Sequence, residues 1–252
     1  MKIQYCSDLH LEFPQNRAYL KEYPLVPSAE VLVLAGDIVP FAIMDQHSDF
    51  FSYVSNNFET TYWLPGNHEY YHFDLAEKNG VLNEKIRDNV ILVNNTFADI
   101  QGIRLIFSTL WSKISSGHAW QIERSMNDFQ LIKFQGYRLS SDHYNRLHEE
   151  SLAFINHALL DSKERNVAVF THHAPTFLHY PEQYKGDILN EAFAVELFDL
   201  IDNSEIDYWV YGHHHSNTPA FKIGKTNMLT NQLGYVQMRE HLEFETNKII
   251  VL

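Results

Sequence analysis

Short runs of apolar, β-branched or aromatic residues recur along the chain, and each run ends abruptly in polar residues. Runs of this length and composition are typical of buried β-strands. The five clearest are Ile3–Cys6, Val31–Ala35, Thr61–Leu64, Val167–Thr171 and Tyr208–Tyr211. Between them, the spacing of apolar residues predicts helices over Asp74–Arg87, Ser141–Leu160 and Asn190–Ile201. This alternation of strands and helices indicates an α/β architecture.

The remaining apolar runs are shorter and are joined by tight turns, which favours a second sheet with antiparallel pairing. We predict strands over Ile91–Val93, Phe97–Ile100, Ile103–Phe107, Thr218–Ile223, Lys225–Thr230, Leu242–Phe244 and Lys248–Leu252. Residues 110–138 show no clean period, although they contain several aromatic side chains. Long irregular segments in compact domains are often lids or binding loops. We therefore expect one domain over residues 1–252, with a cap or lid at 110–138.

The composition narrows the class of protein. The chain has 252 residues without a linker, a repeat or an apolar stretch of eighteen residues, which predicts no membrane span. The N-terminus lacks a secretory signal, which favours a cytoplasmic protein. The single cysteine, Cys6, excludes an intramolecular disulfide and a thiolate metal cluster. The formal net charge of −13 argues against a broad nucleic-acid surface, although a small phosphorylated substrate stays possible.

The residues that follow the five strands are the main clue to function. The strand exits carry Ser7-Asp8-Leu9-His10, Gly36-Asp37, Pro65-Gly66-Asn67-His68-Glu69, His172-His173 and Gly212-His213-His214-His215. Seven of the fifteen histidines lie in these motifs. Ligands of open α/β sheets usually bind at the carboxyl ends of the strands, so we expect these side chains to gather in one place.

Spacing refines this expectation. Residues two apart in extended chain point the same way, so Asp8 and His10 can converge on one metal ion. His213 and His215 can likewise reach two adjacent metals. His172 and His173 point apart, so only one of them is expected to be a ligand. Each motif alone is common on protein surfaces, but all five at strand exits are very improbable as accidents.

At these residues the sequence closely resembles the calcineurin-like metallophosphoesterase superfamily. Its pattern is Asp-x-His, Gly-Asp, Gly-Asn-His-Asp/Glu, a histidine that ends a strand, and Gly-His-x-His, and the blocks occur in this order from Asp8 to His215. The resemblance implies a four-layer α-β-β-α sandwich, in which helices flank two mixed β-sheets. It also implies a dinuclear metal-dependent phosphoesterase that cleaves a phosphodiester or a phosphomonoester.

The resemblance assigns roles to particular residues. One metal ion would be held by Asp8, His10, Asp37 and His215, and the other by Asp37, Asn67, His172 and His213, with Asp37 bridging both. His172 is preferred to His173 because the ligand of the family directly follows its strand. Asp37 and His68 are the expected catalytic residues. A hydroxide that bridges the metals would attack phosphorus, and His68 would protonate the leaving group.

The site would carry about one net positive charge and so would attract phosphate within an acidic protein. Nitrogen and oxygen ligands suit Mn, Fe, Zn or Co, and we favour Mn or Fe. Glu12 and Glu69 either orient ligating imidazoles or form surface salt bridges. Two other functions remain open. One is a nuclease of the same superfamily, and the other is a metal-binding scaffold without catalysis.

Overall fold

Two six-stranded β-sheets form the centre of the computed structural model, which describes residues 1–160, 162 and 165–252. The strands are β1 (Lys2–Cys6), β2 (Val31–Ala35), β3 (Thr60–Leu64), β4 (Leu82–Arg87), β5 (Val90–Asn94), β6 (Thr96–Ile100), β7 (Ile103–Ser108), β8 (Lys133–Phe134), β9 (Tyr137–Arg138), β10 (Asn166–Thr171), β11 (Tyr208–Val210), β12 (Phe221–Ile223), β13 (Thr226–Leu229) and β14 (Ile249–Val251). The α-helices are α1 (Pro14–Glu22), α2 (Ser48–Asn57), α3 (Ala119–Ser125), α4 (Asp128–Leu131), α5 (Ser141–Leu160) and α6 (Phe198–Asp202).

Both sheets are mixed and have the same plan. The first sheet has the order β14-β1-β2-β3-β5-β4, with parallel pairing from β1 to β5 and an antiparallel strand at each edge. The second sheet has the order β12-β13-β11-β10-β7-β6, again with parallel central strands and antiparallel edges. The predicted mixed sheets are therefore confirmed, and the five motif-bearing strands divide between them as β1, β2 and β3 in one and β10 and β11 in the other.

The alternation of side chains along the strands explains the layers. In β1, Ile3 and Tyr5 point into an apolar layer between the two sheets, where they pack with residues such as Phe107 and Phe170. Cys6 of the same strand points to the outer face, where α1 and α2 contribute to a second apolar cluster. The outer face of the second sheet packs against α5 and α6. The result is the expected four-layer α-β-β-α sandwich.

Three predicted elements are wrong. The predicted helix Asp74–Arg87 is instead a 3-10 turn at Leu75–Glu77 followed by the edge strand β4, because Asn79-Gly80 interrupts the helix and β5 pairs with β4. The predicted helix Asn190–Ile201 breaks where the backbone of residues 194–195 pairs with Ala174.

The third error is the predicted strand Leu242–Phe244, which lies in a 3-10 turn at Glu240–Glu243. That turn is fixed from outside, because the Glu240 carboxylate accepts hydrogen bonds from Tyr235 N and from a histidine at the strand exits. The other predicted strands and the helix Ser141–Leu160 are confirmed within about three residues.

The segment 110–138 folds over the carboxyl edge of the sheets. It contains α3, α4 and the small hairpin of β8 and β9. Backbone hydrogen bonds join it to the turn after β3, from His72 N to Leu131 O and from Lys133 N to Phe73 O. The cap or lid function of this segment stays a prediction. Among the described residues, we find no helix whose length and apolarity would suit a membrane span.

Candidate metal centre

The strand exits of both sheets meet at one place. Asp8, His10, Asp37 and His215 form one cluster, in which one ligand atom of each residue lies within 4.8 Å of the others. Asp37, His172 and His213 form a second cluster by the same measure, so Asp37 belongs to both. Hydrogen bonds hold the exits together, from Asp8 N to Gly36 O at 2.9 Å and from Gly212 N to His172 O at 2.9 Å.

In the first cluster, the Nε2 atoms of His10 and His215 lie 2.9 Å apart. Asp8 Oδ1 lies 3.4 Å from His215 Nε2, and Asp37 Oδ2 lies 3.8 Å from His10 Nε2. Two ligands of one metal ion at about 2.1 Å, set at right angles, are about 3 Å apart. The first cluster therefore has the spacing of a coordination shell.

The second cluster is built around His172. Its Nε2 atom lies 3.1 Å from His213 Nδ1, 3.2 Å from Asn67 Oδ1 and 3.3 Å from Asp37 Oδ1. His173 differs, because Nδ1 faces Thr109 O at 3.3 Å and Nε2 faces Tyr144 Oη at 2.9 Å. The structure thus turns a ring nitrogen of His172 toward the other proposed ligands, whereas His173 only packs its ring against His213.

The hydrogen bonds of the far ring nitrogens show which atoms face the centre. Nδ1 of His10 lies 3.0 Å from the Glu12 carboxylate, and Nδ1 of His215 lies 2.8 Å from the Glu240 carboxylate. Nδ1 of His172 contacts Ala35 O at 3.1 Å, and Nε2 of His213 contacts Ala192 O at 3.2 Å. When these oxygens accept an N–H proton and the ring is neutral, the other nitrogen of each ring has a lone pair that faces the centre.

Two facing lone pairs at about 3 Å repel each other unless positive charge lies between them. In their neutral forms the two imidazoles of each facing pair can therefore share a metal ion, and all four have outer partners of the kind that fix ligating histidines. The donor set of imidazole nitrogens, carboxylate oxygens and the Asn67 amide oxygen fits divalent Mn, Fe, Co or Zn. The residues present thus fit two adjacent divalent ions with Asp37 between them.

Buried carboxylates make the centre attractive to cations. Burial lowers the pKa of His172, but Asp37 outweighs burial and raises that pKa to about 9. Burial also lowers the pKa of His215, but hydrogen bonds to Asp8 and Glu240 raise it to about 10. The pKa of Asp37 stays well below its ordinary value despite burial, because the surrounding imidazoles favour the carboxylate.

The backbone at the centre is strained. Five of the seven proposed ligands have positive φ: Asp8 (57°), His10 (47°), Asp37 (55°), His213 (79°) and His215 (52°). Such conformations cost about 1–3 kcal/mol each for residues other than glycine. Glycines provide the space for these turns, because a Cβ on Gly36 would collide with the His172 ring and one on Gly66 with the Asp37 carboxylate.

His68 lies beside both clusters, and its backbone N–H donates to Asp37 Oδ1 at 2.9 Å. Its ring stacks on Tyr71 with centroids 4.0 Å apart, and Nδ1 lies 2.9 Å from Glu12 Oε1. Nε2 lies 3.5 Å from Tyr235 Oη at the edge of the cleft. Burial lowers the pKa of His68, but Asp37 and Glu12 outweigh burial, so the net shift is upward from 6.5.

The two glutamates have different roles from each other. One oxygen of Glu12 accepts hydrogen bonds from both His10 and His68. Glu12 therefore orients imidazoles, which is one of the two roles expected for it. Glu69 instead accepts hydrogen bonds from the backbone N–H groups of Asp37, Ile38 and Gly66 and from the indole of Trp63. Glu69 therefore fixes the exits of β2 and β3. Burial and the Asp37 charge raise its pKa to about 7.

Sequence reasoning did not find three further residues of the site. Asp128 Oδ1, on α4, accepts from Asn67 Nδ2 at 2.9 Å and from Tyr71 Oη at 2.8 Å. Glu240 contacts His215, and Tyr235 contacts the rings of His10 and His215. Asp128 lies in the segment without a period and Glu240 in a turn that resembled a strand, so no local signal pointed to either.

The cluster opens into a cleft of about 350 Å³. Asn67, His68, His213 and His215 are exposed to it, and Ser125, Met126 and Asn127 of the segment 110–138 form one wall. Residues 180–193, which include Tyr180, Leu189 and Phe193, form another part of the lining. Tyr71 also lines the cleft, whereas Tyr70 packs into the core against Trp111.

Comparison with known proteins gives the class to which this fold and centre belong. The chain belongs to the calcineurin-like phosphoesterase family, whose sequence profile matches residues 1–217. The resemblance noted from the five motifs is thereby confirmed.

Three relatives are similar over most of the chain. Uncharacterized protein L509 of Acanthamoeba polyphaga mimivirus is 32% identical over 265 residues, which cover 95% of this chain and 93% of that protein. The crystal structure of the phosphopantetheinyl hydrolase PptH from Mycobacterium tuberculosis has a TM-score of 0.74 and 14% identity, and the match covers 99% of this chain and 95% of that one. A dimetal phosphatase from Danio rerio has a TM-score of 0.53 and 12% identity, over 92% and 87% of the two chains. The two solved structures show a common fold.

Proposed function

We propose that this protein is a dinuclear metal-dependent phosphoric ester hydrolase that acts on a small phosphorylated substrate. One observation carries the proposal. Two pairs of imidazoles face each other through ring nitrogens at 2.9 Å and 3.1 Å on either side of Asp37, while the other nitrogen of each ring is held by a carboxylate or carbonyl oxygen. A scaffold that only binds a partner protein has no need for this arrangement, nor for five ligands with strained backbone.

The proposed ligand set is Asp8, His10, Asp37 and His215 for one ion, and Asp37, Asn67, His172 and His213 for the other. Two divalent ions held by these residues would polarise the phosphoryl oxygens and acidify water for an in-line displacement. Asp37 would be shared by both ions, and its Oδ1 atom accepts a hydrogen bond from the His68 main-chain N–H. We favour Mn or Fe, with Zn as an alternative, because the donors are nitrogen and oxygen atoms.

His68 is proposed as the proton donor to the leaving oxygen. Glu12 holds its Nδ1 atom, and the Tyr71 ring restricts its rotation, so Nε2 is left facing the cleft. The same Glu12 oxygen accepts from His10. The orientation of the donor is thus tied directly to a proposed metal ligand, which favours a fixed distance between the reacting phosphate and the proton.

The acidic composition supports a small substrate over a nucleic acid. The formal net charge is −13, and an acidic surface repels the phosphate backbone of DNA or RNA. The Mycobacterium tuberculosis neighbour is named for a phosphopantetheinyl group, and at 14% identity it supports the fold alone. The name of that neighbour is a reason to include phosphopantetheinyl esters in a substrate screen of this protein.

The test is hydrolysis of bis(p-nitrophenyl) phosphate and p-nitrophenyl phosphate after chelation and re-addition of Mn, Fe or Zn. We expect activity that chelation abolishes and metal restores. His215→Ala should lose it, whereas His157→Ala, which removes an exposed histidine on α5, should keep it. Failure of every metal to restore hydrolysis, in protein that binds two ions, would contradict the proposal and favour the non-catalytic scaffold.

A further inference from the structure

We propose that the cleft holds a neutral organic arm of a phosphodiester on a wall formed by Tyr180, Tyr184, Leu189 and Phe193, which we call the arm wall. The inference rests on the proposed function and specifies its substrate class. The preferred substrate would be a phosphodiester monoanion with one leaving group and one uncharged, partly apolar second arm.

The arm wall lies beside His213 and His214, whereas the ring of the proposed proton donor lies beside His10. Phe193 stacks on His213 with ring centroids 4.6 Å apart, and Tyr180 meets His214 at 5.5 Å. His68 lies instead beside His10, with centroids 4.5 Å apart. A leaving group must approach His68 to receive its proton. The second substituent of a diester lies on an equatorial oxygen in an in-line displacement and can be placed against Phe193, whereas a monoester has no such substituent.

The size and surface of the cleft suit an organic arm. Its volume of about 350 Å³ lies within the range of pockets that bury small organic ligands. Leu189 and Phe193 are partly buried and pack against the apolar core, while Tyr184 is 42% exposed. Aromatic and aliphatic side chains that are fixed on one side and open on the other bind apolar groups with little loss of entropy.

The charged side chains near the arm wall disfavour a negatively charged arm. Asp187 lines the cleft beside Tyr184, and Glu240 lines the opposite end next to His215. Lys185, the neighbouring cation, is exposed and ion-paired with Glu182. A phosphomonoester carries close to two negative charges at neutral pH, whereas a diester carries one. Like-charge repulsion from Asp187 therefore favours a neutral arm over a negatively charged one.

The arm wall is braced before any ligand binds. The carboxylate of Glu191 accepts from Ser115 N at 2.8 Å and contacts His118 Nδ1 at 2.8 Å, so the turn Ile188–Ala192 is tied to the segment 110–138. From the core side, Tyr144 Oη donates to Ala192 O at 2.7 Å. A wall fixed from two directions is a preformed site, in which less ordering opposes binding.

The test uses four p-nitrophenyl esters with the same leaving group and the Mn-loaded protein. The second substituent is absent (the monoester), methyl, hexyl or 5-carboxypentyl. We expect the hexyl ester to exceed the methyl ester in kcat/KM by about tenfold, through partial burial of its methylenes. The carboxypentyl ester and the monoester should both fall below the hexyl ester.

Variants of residues at the arm wall test whether it causes these differences between esters. Tyr184→Ala should lower the hexyl-to-methyl ratio by about threefold, while Tyr137→Ala, at an exposed tyrosine of the β8–β9 hairpin, should leave the ratio unchanged. Asp187→Asn should raise the carboxypentyl ester relative to the hexyl ester by about threefold, since it removes a charge. The amide of this variant retains an oxygen for the hydrogen bond from Leu189 N.

Binding of hexyl methylphosphonate and methyl methylphosphonate, measured by calorimetry, distinguishes a failure of the arm wall from a failure of the proposed hydrolase. Tighter binding of the hexyl compound without hydrolysis of any ester would support the arm wall and overturn the proposed hydrolase. Hydrolysis with equal kcat/KM for the methyl and hexyl esters would overturn the arm wall and leave the hydrolase standing. Neither hydrolysis nor a difference in binding would overturn both.

Discussion

Asp128 gives the most informative single perturbation, because it lies outside every motif and yet contacts the centre twice. Its Oδ1 atom accepts from the Asn67 amide and from the Tyr71 hydroxyl, and it is fully buried. Asn67 is a proposed ligand, and Tyr71 stacks on the proposed proton donor. Replacement of Asp128 by alanine removes the hydrogen-bond acceptor of both the Asn67 amide and the Tyr71 hydroxyl.

The expected loss of stability follows from these two hydrogen bonds. Each buried donor that loses its acceptor costs about 1–3 kcal/mol. Part of this cost is offset, because Asp128 Oδ2 has no hydrogen-bond partner among the described residues and burial raises the pKa of the carboxyl. For Asp128→Ala we therefore expect the free energy of unfolding to fall by about 2–4 kcal/mol. Asp128→Asn keeps an acceptor oxygen and should cost about 1 kcal/mol.

We expect Asp128→Ala to weaken metal affinity and hydrolysis by more than a general loss of stability would. Without Asp128, the Asn67 amide can rotate and turn its NH₂ group toward His172 instead of its oxygen. Loss of a group that orients a ligand typically weakens metal affinity or activity by about 10–100-fold. We expect a decrease of this size for Asp128→Ala, together with a lower kcat/KM for diester hydrolysis.

Three measurements test this reasoning. Urea unfolding gives the stability, calorimetric titration of chelated protein with Mn gives the affinity, and hydrolysis of bis(p-nitrophenyl) phosphate gives kcat/KM. Asp142→Ala is the matched control, since Asp142 is an exposed residue in the first turn of α5. If Asp128→Ala loses stability but binds both metals within about twofold of the unmodified protein, Asp128 supports only the fold and our reasoning is wrong.

Three further predictions concern the proposed bridging carboxylate Asp37, the proposed proton donor His68 and the ion pair between Asp99 and the buried Arg104. Asp37→Ala should abolish hydrolysis and weaken binding of both metals in a calorimetric titration, because both clusters share this residue; two tightly bound ions in the variant would argue against a bridge. His68→Ala should retain two metals by elemental analysis but lower kcat by about 10²–10⁴-fold, the usual contribution of a general acid, and loss of a metal would identify His68 as a ligand instead. Asp99 is held by Arg104 at 2.9 Å, a contact that lowers its pKa to about 2. A depressed carboxyl pKa stabilises the folded state above about pH 4, the value for the unfolded chain, and the effect is lost as the pH falls through about 2. In chelated protein, Asp99→Asn should therefore reduce the free energy of unfolding by about 1 kcal/mol at pH 7 and by progressively less below pH 4. The effect is small because Asp99 is partly exposed to solvent. A gap that stays constant with pH would contradict this assignment.

The proposed ligands could be predicted from the sequence because they lie where strands end. Each buried strand was recognisable from its apolar run, and the residue types that follow it are unusual for loops. Asp8, Asp37 and His213 are thus predictable one strand at a time. Their meeting across two sheets depends on topology, which local patterns do not contain.

The residues around the ligands could not be predicted in the same way. Asp128 and Glu240 act through contacts with residues 61 and 25 positions away, and neither lies in a segment with a recognisable period. The strand β4 shows the same limit, because its pairing with β5 overrides a local pattern that favours a helix. Long-range hydrogen bonds decide these positions.

Anomalous diffraction from crystals of the Mn-loaded protein would test the central claim most directly. We predict two peaks about 3.5–4 Å apart, one beside His10 and His215 and the other beside His172 and His213, with the Asp37 carboxylate between them. A single peak, or two peaks that do not share Asp37, would contradict the dinuclear centre on which the proposed hydrolysis depends.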